Sequence, residues 1–363
     1  MVPSCYVHIP FCDSICSYCD FVRIQKNEKF FSAWKDTLIK EIQEYKISNL
    51  HTLYFGGGTP SLLSLDDFAS IRNCFPKDID EFTVECNPES LDEEKLASYV
   101  SLGVNRISLG VQSFNDDLLK VCRRRHTSNQ AKNVIRWIQE SGIHNFSIDL
   151  IFGLPNQTME DVKRDISTFL SLDIPHLSIY SLQIEKNSIF GKTGVEPCDP
   201  DLEADMFEYI TKTLEAADYI HYEISSFCKP GHHSRHNLAY WQDQDFYGIG
   251  CGASGRLNGI RYDNTSSLKE YCSFGPCPTY ISETLEERSM DAIMMALRTR
   301  FGLNISSWNA RYQLDFKTKY ASVLNTYRSY FEYDDDAIYL NDAGLEILNT
   351  ILVDFMMIPD FRG

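Results

Sequence analysis

Three cysteines stand close together near the start of the chain, in the stretch HIPFCDSICSYCDF. Cys12, Cys16 and Cys19 have the spacing CxxxCxxC, and thiolates at this spacing on one loop can converge on a metal centre. A structural zinc site needs four ligands, which His8 or the distant Cys228 would have to complete. An iron–sulfur cluster normally has one thiolate per iron, so three thiolates would leave one iron free to bind a small molecule.

A glycine-rich stretch, YFGGGTPS, follows the second predicted strand. Its residues Gly57, Gly58 and Thr59 suit a ligand site, because glycine has no Cβ and lets the backbone approach a ligand closely. Taken alone, the stretch would be interpreted as a turn from strand to helix. Beside the cysteine triplet, ligand binding is the favoured interpretation.

Composition excludes several classes of protein. The chain has 51 acidic and 34 basic residues and a net charge of -17, which disfavours binding to nucleic acid. Its 12 cysteines lie in 363 residues that are 43% hydrophobic and begin without a signal-peptide pattern, which indicates a reducing, cytoplasmic setting. No stretch is apolar enough to span a membrane, although peripheral association stays open.

The elements that must position these residues alternate between strand and helix. Short apolar segments predict six strands, separated by stretches with helical periodicity such as FFSAWKDTLIKEIQEY. The predicted strands are CYVHI from Cys5, HTLYF from His51, EFTVEC from Glu81, RISLGV from Arg106, NFSIDLIFG from Asn145 and HLSIYSL from His176. This alternation predicts an α/β fold with parallel strands, either an open sheet or a complete or partial barrel. In both, ligands gather at the carboxyl ends of the strands.

The alternation changes after about Lys192. A helix is predicted from Asp201 to Ala217, then a strand in YIHYEISSF and a glycine-rich segment, YGIGCGASGRLNG. Helical patterns in SETLEERSMDAIMMALRT and AGLEILNTILVDFMM follow. We therefore expect a first domain at residues 1–255 and a smaller, mainly helical domain at 256–363.

The cysteine spacing, with Tyr18 before the third cysteine and GGGTPS after the second strand, resembles the radical S-adenosylmethionine (SAM) superfamily. The resemblance implies a partial (β/α)6 barrel of the TIM type that carries a 4Fe-4S cluster on Cys12, Cys16 and Cys19. SAM would be the fourth ligand, through its amino and carboxylate groups. One-electron reduction of SAM would then release a 5'-deoxyadenosyl radical, with the difficult chemistry carried by the cofactors.

The same resemblance assigns a set of residues to SAM. Glu85 would accept hydrogen bonds from the ribose hydroxyls, and Arg124 would hold the carboxylate with its planar fork. Gln112 and Asp149 would supply polar contacts. Each alone has a structural interpretation, such as capping the next helix. The SAM residues implied are Tyr6, Tyr18, Gly57, Gly58, Thr59, Glu85, Gln112, Arg124 and Asp149.

Further motifs resemble the group that contains oxygen-independent coproporphyrinogen III oxidase and its heme chaperone branch. These motifs are LGVQSF, DLIFGLPNQT, YEISSFCKPGHHSRHNLAYW and YGIGCGASGR. The chaperone branch is favoured because Phe21 stands where the oxidase has a further cysteine and because few residues precede Tyr6. One departure is Ser254, where chaperone sequences usually carry histidine.

The segment HNLAYW matches the motif of the chaperone branch for heme binding. His236 would be an axial ligand of heme iron, and Tyr240 and Trp241 would stack on the macrocycle. Without the resemblance, a hydrogen-bonded buried histidine and core packing of the two aromatic rings would be the simpler interpretation.

The resemblance implies a protein that binds heme and passes it to an acceptor protein, with an electron donor such as a flavodoxin or ferredoxin. Two alternatives stay open. One is an enzyme that converts coproporphyrinogen III to protoporphyrinogen IX by radical oxidative decarboxylation. The other is a zinc-stabilised scaffold without radical chemistry.

Overall fold

The computed structural model describes residues 2–358. The first part of the chain, to Ser181, alternates strands and helices. Its strands are β1 (Ser4–Ile9), β2 (Phe11–Cys12), β3 (Ile24–Gln25), β4 (Thr52–Gly57), β5 (Glu81–Cys86), β6 (Arg106–Gln112), β7 (Asn145–Phe152) and β8 (His176–Ser181). Its helices are α1 (Glu28–Tyr45), α2 (Leu65–Arg72), α3 (Glu93–Ser101), α4 (Asp116–Val121), α5 (Ser128–Glu140) and α6 (Met159–Ser171).

The remaining elements are shorter. The strands are β9 (Ile220–Glu223), β10 (Ser226–Cys228), β11 (Phe246–Ile249), β12 (Ser254–Leu257), β13 (Ile260–Asp263), β14 (Thr279–Ile281), β15 (Leu303–Asn304), β16 (Phe331–Asp334) and β17 (Ala337–Leu340). The helices are α7 (Ile189–Thr193), α8 (Pro200–Glu215), α9 (Arg235–Trp241), α10 (Leu268–Phe274), α11 (Leu285–Ala296), α12 (Ile305–Tyr312), α13 (Phe316–Lys319), α14 (Ala321–Thr326), α15 (Asp342–Glu346) and α16 (Leu348–Met356).

Twelve of the strands form one large sheet in the order β14-β13-β12-β11-β1-β4-β5-β6-β7-β8-β10-β9. The strands from β11 to β8 in this order pair in parallel, and the pairs outside them are antiparallel. Helices connect the consecutive parallel strands β1, β4, β5, β6, β7 and β8. The prediction of an α/β fold built on a partial (β/α)6 barrel with a helical part is confirmed.

The two faces of the parallel strands differ in character. In β6, the apolar residues Ile107, Leu109 and Val111 are fully buried in the main hydrophobic core. Ser108 and Gly110, which alternate with them, border a cavity. Side chains on successive strand residues point to opposite faces, so one stretch of sequence serves both the core and the cavity.

A second hydrophobic core lies between Ala292 and Phe355 and contains the three-stranded sheet β15-β17-β16. The main sheet continues through β13 and β14 to Ile281. The domain boundary predicted after residue 255 stays a prediction, with three strands of the main sheet, β12 to β14, lying at or beyond it.

One predicted strand differs in detail. The segment YIHYEISSF contains two antiparallel strands, β9 and β10, instead of one. Ile224 and Ser225 form the turn between the two strands, and the sequence pattern did not indicate this reversal. No helix in residues 2–358 has the length and apolar character needed to cross a lipid bilayer.

Candidate functional site

The loop that carries the three cysteines is held at both ends. Cys12 lies at the end of β2 and pairs with Gln25 of β3. His8 Nε2 lies 2.7 Å from the carbonyl oxygen of Val22, which ties the far end of the loop to β1. The Ser17 amide donates to the carbonyl oxygen of Cys122 at 3.0 Å, so the middle of the loop rests on the end of α4.

A cavity of about 440 Å³ opens at the carboxyl ends of the parallel strands. It brings together residues that are far apart in the sequence. The predicted residues that line it are Cys12, Cys16, Tyr18, Cys19, Gly57, Gly58, Thr59, Glu85, Gln112, Arg124 and Asp149.

Two of the cysteine sulfur atoms each have a polar side chain nearby. The Thr59 hydroxyl lies 3.7 Å from Cys12 Sγ, and Arg124 Nη1 lies 3.5 Å from Cys16 Sγ. Burial raises the pKa of the Cys12 thiol to about 11. Bound metal lowers the pKa of a coordinating thiol, so loading of this site would release protons. Three free thiols beside a buried guanidinium fit an anionic iron–sulfur cluster with one open iron.

The zinc alternative has less support from the placement of its additional ligands. His8 is occupied, because Nδ1 lies 2.9 Å from the Tyr6 hydroxyl and Nε2 contacts Val22. Cys228 is buried on β10. Within residues 2–358, no three His, Cys, Asp or Glu side chains lie close enough to hold a single metal ion.

The glycines after β4 are needed for packing as well as for access to the cavity. Gly57 has a φ of 111°, and a Cβ there would lie 2.6 Å from the His8 ring. A Cβ on Gly58 would lie 2.7 Å from the carbonyl oxygen of Phe11. The turn therefore packs directly against β1 and the start of the cysteine loop.

Glu85 on β5 has fixed partners on both carboxylate oxygens. The Tyr54 hydroxyl donates to Oε1 at 2.8 Å, and the Gly57 amide donates to Oε2 at 2.9 Å. Burial, reinforced by the negative charge of Asp149, raises the pKa of Glu85 to about 7. Burial also raises the pKa of Asp149 to about 6, although the Ser108 hydroxyl donates to it at 3.2 Å.

Arg124 is fixed by several acceptors. Its Nη2 donates to Asn87 Oδ1 and to the carbonyl oxygen of Gly110, both at 2.7 Å. Gln112 turns toward the cavity because β6 has an irregular register there and Gln112 adopts a positive φ of 69°. The contacts of Arg124 hold its side chain at the cavity wall, and the backbone turn brings Gln112 to the same wall.

Several residues of the cavity were not predicted from the sequence. Asn87 contacts two predicted residues, since its Nδ2 donates to Thr59 Oγ1 at 3.1 Å and its Oδ1 accepts from Arg124. Its position two residues after Glu85 at the end of a strand was a usable signal, because such residues share a face. The other missed residues include Arg23, Glu89, Ser108 and Tyr180.

Tyr6, by contrast, lies behind the cavity wall. Its hydroxyl contacts His8, and its ring centroid lies 6.0 Å from that of Tyr54. It supports residues of the site and is not among those that line the cavity.

The residues predicted to contact heme lie on α9, outside this cavity. His236 is 1% exposed, with Nδ1 2.8 Å from the Thr52 hydroxyl and Nε2 2.7 Å from the Tyr240 hydroxyl. Burial, with a smaller contribution from the positive charge of Arg106, lowers the pKa of His236 to about 3. The heme contact of His236 stays a prediction, and in this arrangement both ring nitrogens already have hydrogen-bond partners.

Trp241, at the other end of the same motif, borders a second cavity of about 400 Å³. Trp308 and Tyr312 of the second core lie on its other side. Phe21, which distinguishes the chaperone branch in sequence, is 70% exposed at the first cavity. Ser254 is exposed on β12, and its hydroxyl donates to Asp263.

Known proteins resemble this chain over different parts of its length. A model of the Radical SAM superfamily matches residues 6–169. The chain is 38% identical to the heme chaperone HemW of Lactococcus lactis subsp. lactis, over 98% of this chain and 97% of that protein. It is 33% identical to the heme chaperone HemW of Bacillus subtilis, over 97% and 99% of the two chains.

A solved structure shows the same fold. Coproporphyrinogen III oxidase (HemN) from Escherichia coli, described as a radical SAM enzyme, superposes with a TM-score of 0.84 over 98% of this chain and 90% of that chain, at 21% identity. Full-length identity above 30% to curated relatives, together with the radical SAM match, is more specific than this likeness of fold. The chain therefore belongs to the heme chaperone HemW family of the radical SAM superfamily.

Proposed function

We propose that this protein is a cytoplasmic heme chaperone, which carries a 4Fe-4S cluster and SAM, binds heme and transfers it to an acceptor protein. The observation that carries the proposal is the similarity to the Lactococcus lactis heme chaperone over 98% of this chain and 97% of that protein. Such coverage includes the α9 motif and the second core as well as the radical SAM region.

The residues of the first cavity have separate tasks in this proposal. Cys12, Cys16 and Cys19 hold the cluster, Arg124 forms a forked contact with the SAM carboxylate, and Glu85 accepts from the ribose hydroxyls. When bound, the cluster and SAM supply one-electron chemistry at the sulfonium. The protein orients both groups within a cavity whose walls are fixed by the contacts of Asn87 and Tyr54. A flavodoxin or ferredoxin would serve as electron donor.

The heme part of the proposal uses the two ends of α9 differently. Trp241 faces an apolar cavity, so it is available to stack on a flat macrocycle. His236 would have to exchange one of its hydrogen bonds, to Thr52 or to Tyr240, for a bond to iron. Heme binding through His236 therefore requires a local rearrangement of α9.

Heme titration of the purified protein tests the proposal. We expect a saturable change in the Soret absorption, weaker in His236→Ala and in Trp241→Ala. A matched control is Trp137→Ala, because Trp137 lies on α5, outside both cavities. A Soret change that is absent, or that neither motif variant alters, would reject the heme assignment.

Two further measurements separate the alternatives. Anaerobic incubation with reductant, SAM and coproporphyrinogen III should leave the substrate unchanged, and accumulation of protoporphyrinogen IX would favour the oxidase instead. Iron and sulfide analysis of anaerobically purified protein should show a cluster, and a protein with zinc alone would support the scaffold alternative.

A further inference from the structure

Helix α9, which carries the HNLAYW motif, packs against Tyr54, and Tyr54 is a hydrogen-bond partner of Glu85. The rings of His236 on α9 and Tyr54 on β4 are stacked, with centroids 4.9 Å apart and an interplanar angle of 25°. The Tyr54 hydroxyl in turn donates to Glu85 Oε1 at 2.8 Å. One tyrosine therefore connects the motif histidine to the side chain that is expected to hold the ribose.

Hydrogen bonds to both ring nitrogens restrict the rotation of the His236 imidazole. Thr52, two residues before Tyr54 on the same face of β4, contacts Nδ1, and Tyr240 contacts Nε2. The His236 amide donates to Glu81 Oε1 at 2.9 Å, which anchors the first turn of α9 to the start of β5. Since β5 also carries Glu85, the histidine and the carboxylate are held by the same two strands.

The fixed position of His236 restricts the orientation of the Tyr54 ring. Its ring lies between His236 and Tyr6, whose centroids are 4.9 Å and 6.0 Å away. Offset or tilted aromatic contacts of this kind favour one ring orientation. That orientation directs the hydroxyl toward Glu85, while the Gly57 amide holds the other carboxylate oxygen.

We infer that His236 is a positioning residue of the SAM site, acting on Glu85 through the ring of Tyr54. It does not touch the cavity, and its effect is on the rotamer of the carboxylate that receives the ribose. Loss of the imidazole should weaken binding of the nucleoside part of SAM and leave the methionine part unaffected.

A consequence rests on the proposed function. If heme iron takes a ring nitrogen of His236, the imidazole must leave Thr52 or Tyr240, and the contact with Tyr54 changes. Heme on His236 would then weaken SAM binding, and by thermodynamic reciprocity SAM would weaken heme binding by the same factor.

The test compares two ligands of the reconstituted protein. SAM contains the ribose, whereas L-methionine contains the amino and carboxylate groups without it. Dissociation constants would be measured without heme, by titration of the reduced cluster signal in electron paramagnetic resonance. In Glu85→Gln, Tyr54→Phe and His236→Ala, we expect SAM affinity to fall roughly tenfold and methionine affinity to stay within about twofold.

The double variant provides the second criterion. Because His236 is inferred to act through Tyr54, SAM affinity in Tyr54→Phe/His236→Ala should fall no further than about the larger of the single losses. Losses that multiply, or a His236→Ala variant that weakens methionine as much as SAM, would overturn the inference.

A milder variant covers the case in which His236→Ala does not fold. Tyr240→Phe removes one hydrogen bond to the imidazole and keeps the ring, so it should weaken SAM about threefold and methionine not at all. Equal binding of SAM by Tyr240→Phe and the natural protein would contradict the inference. The experiment contains no heme, so failure of the heme titration leaves its outcome unchanged.

Discussion

Glu85 illustrates how burial determines the state of a single residue in the site. Its pKa is raised from 4.5 to about 7, so near neutral pH a large share of the molecules would hold a protonated carboxyl there. A carboxylate accepts from two ribose hydroxyls, whereas the protonated form has less acceptor capacity. The affinity for SAM should therefore depend on pH.

We expect the dissociation constant for SAM to fall roughly tenfold between pH 6 and pH 8, because the ionised fraction of Glu85 increases through a pKa of about 7. Calorimetric titration of the reconstituted protein at several pH values would measure this. Glu85→Gln should bind SAM more weakly and with a flatter pH profile, because only the change near pH 6 that Asp149 contributes would remain. A profile that persists unchanged in Glu85→Gln would place the titrating group elsewhere.

The three cysteines of the loop should each be necessary for the cluster. We expect about four iron atoms per chain after anaerobic reconstitution and a large loss of iron in Cys12→Ser, because serine does not replace a thiolate. Cys74→Ser is the matched control, since Cys74 lies after α2 and outside the cavity. Full iron content in Cys12→Ser would exclude that residue as a ligand.

At the scale of single residues, the sequence identified residues whose types have few roles other than ligand binding in such a pattern. The cysteine triplet, the glycines, Glu85 and Arg124 all reach one cavity. The sequence left His236 open between a heme ligand and a hydrogen-bonded histidine, because its partners Thr52 and Tyr240 come from different elements and cannot be identified from the local pattern. Tyr54 was missed because a tyrosine in an apolar strand is ordinarily a core residue.

Among the elements, the parallel strands were the most predictable. Segments such as EFTVEC are short, apolar and β-branched, and the helices between them begin at capping residues such as Thr158 and Thr127, whose hydroxyls accept from backbone amides. The edge strands β12 to β14 were not predicted, because each is only three or four residues long and each contains exposed residues.

The connection of α1 to the glycine-rich turn after β11 depends on one buried carboxylate. Glu41 accepts from the amide of Gly250 at 3.1 Å, from Asn264 Nδ2 at 2.9 Å and from the Tyr271 hydroxyl. Glu41→Ala would leave these donors without their acceptor and should lower the free energy of unfolding by about 3 kcal/mol. Urea unfolding measures the change, with the exposed Glu44→Ala on the same helix as control. Equal losses in both variants would contradict the role of Glu41.

The same residue gives a pH dependence of stability with a defined sign. Burial raises the pKa of Glu41 from 4.5 to about 7, so between these values the folded protein binds more protons at this site than the unfolded chain. Its contribution to the free energy of unfolding therefore decreases as pH rises from about 4.5 to about 7. Glu41→Gln should show a smaller decrease over this range than the natural protein in urea unfolding, and an unchanged slope would refute the assignment.

Across the whole molecule, the two hydrophobic cores are joined by an ionic cluster around the buried side chain of Asp243. Asp243, after α9, is paired with Arg256 of β12 and lies 2.7 Å from Arg311 of α12, in the second core. The Tyr312 hydroxyl also donates to it at 3.3 Å. The cluster therefore connects the main sheet, α9 and the second core at one point.

Asp243→Ala should destabilise this junction by about 3–5 kcal/mol, because it leaves the buried Arg256 guanidinium without its carboxylate partner. Thermal unfolding followed by circular dichroism would show a lower midpoint, and a separate early transition if the second core loosens first. Glu332→Ala, an exposed acidic residue of β16, should leave the midpoint nearly unchanged. A midpoint unaffected by Asp243→Ala would mean that the cluster contributes little to stability.

The order of strands in the main sheet was not predictable from local patterns. β11 pairs with β1 although more than 230 residues separate Tyr247 from its partner Cys5. Periodicity indicates which residues are buried but not which strands are neighbours. The small sheet β15-β17-β16 was also missed, because its strands are only two to four residues long and are too short to show a clear alternation of apolar and polar residues.

The cysteine loop has one further consequence for how the protein matures. Its attachments, from His8 to Val22, from Ser17 to Cys122 and from Phe190 to Ser17, are made by the polypeptide alone. Zinc fingers fold only when the metal binds, whereas in this protein the contacts with the barrel hold the cysteine loop in place. An assembly factor would therefore deliver iron and sulfide to a cysteine loop that is already folded. The far-ultraviolet circular dichroism spectrum should barely change as the cluster is inserted.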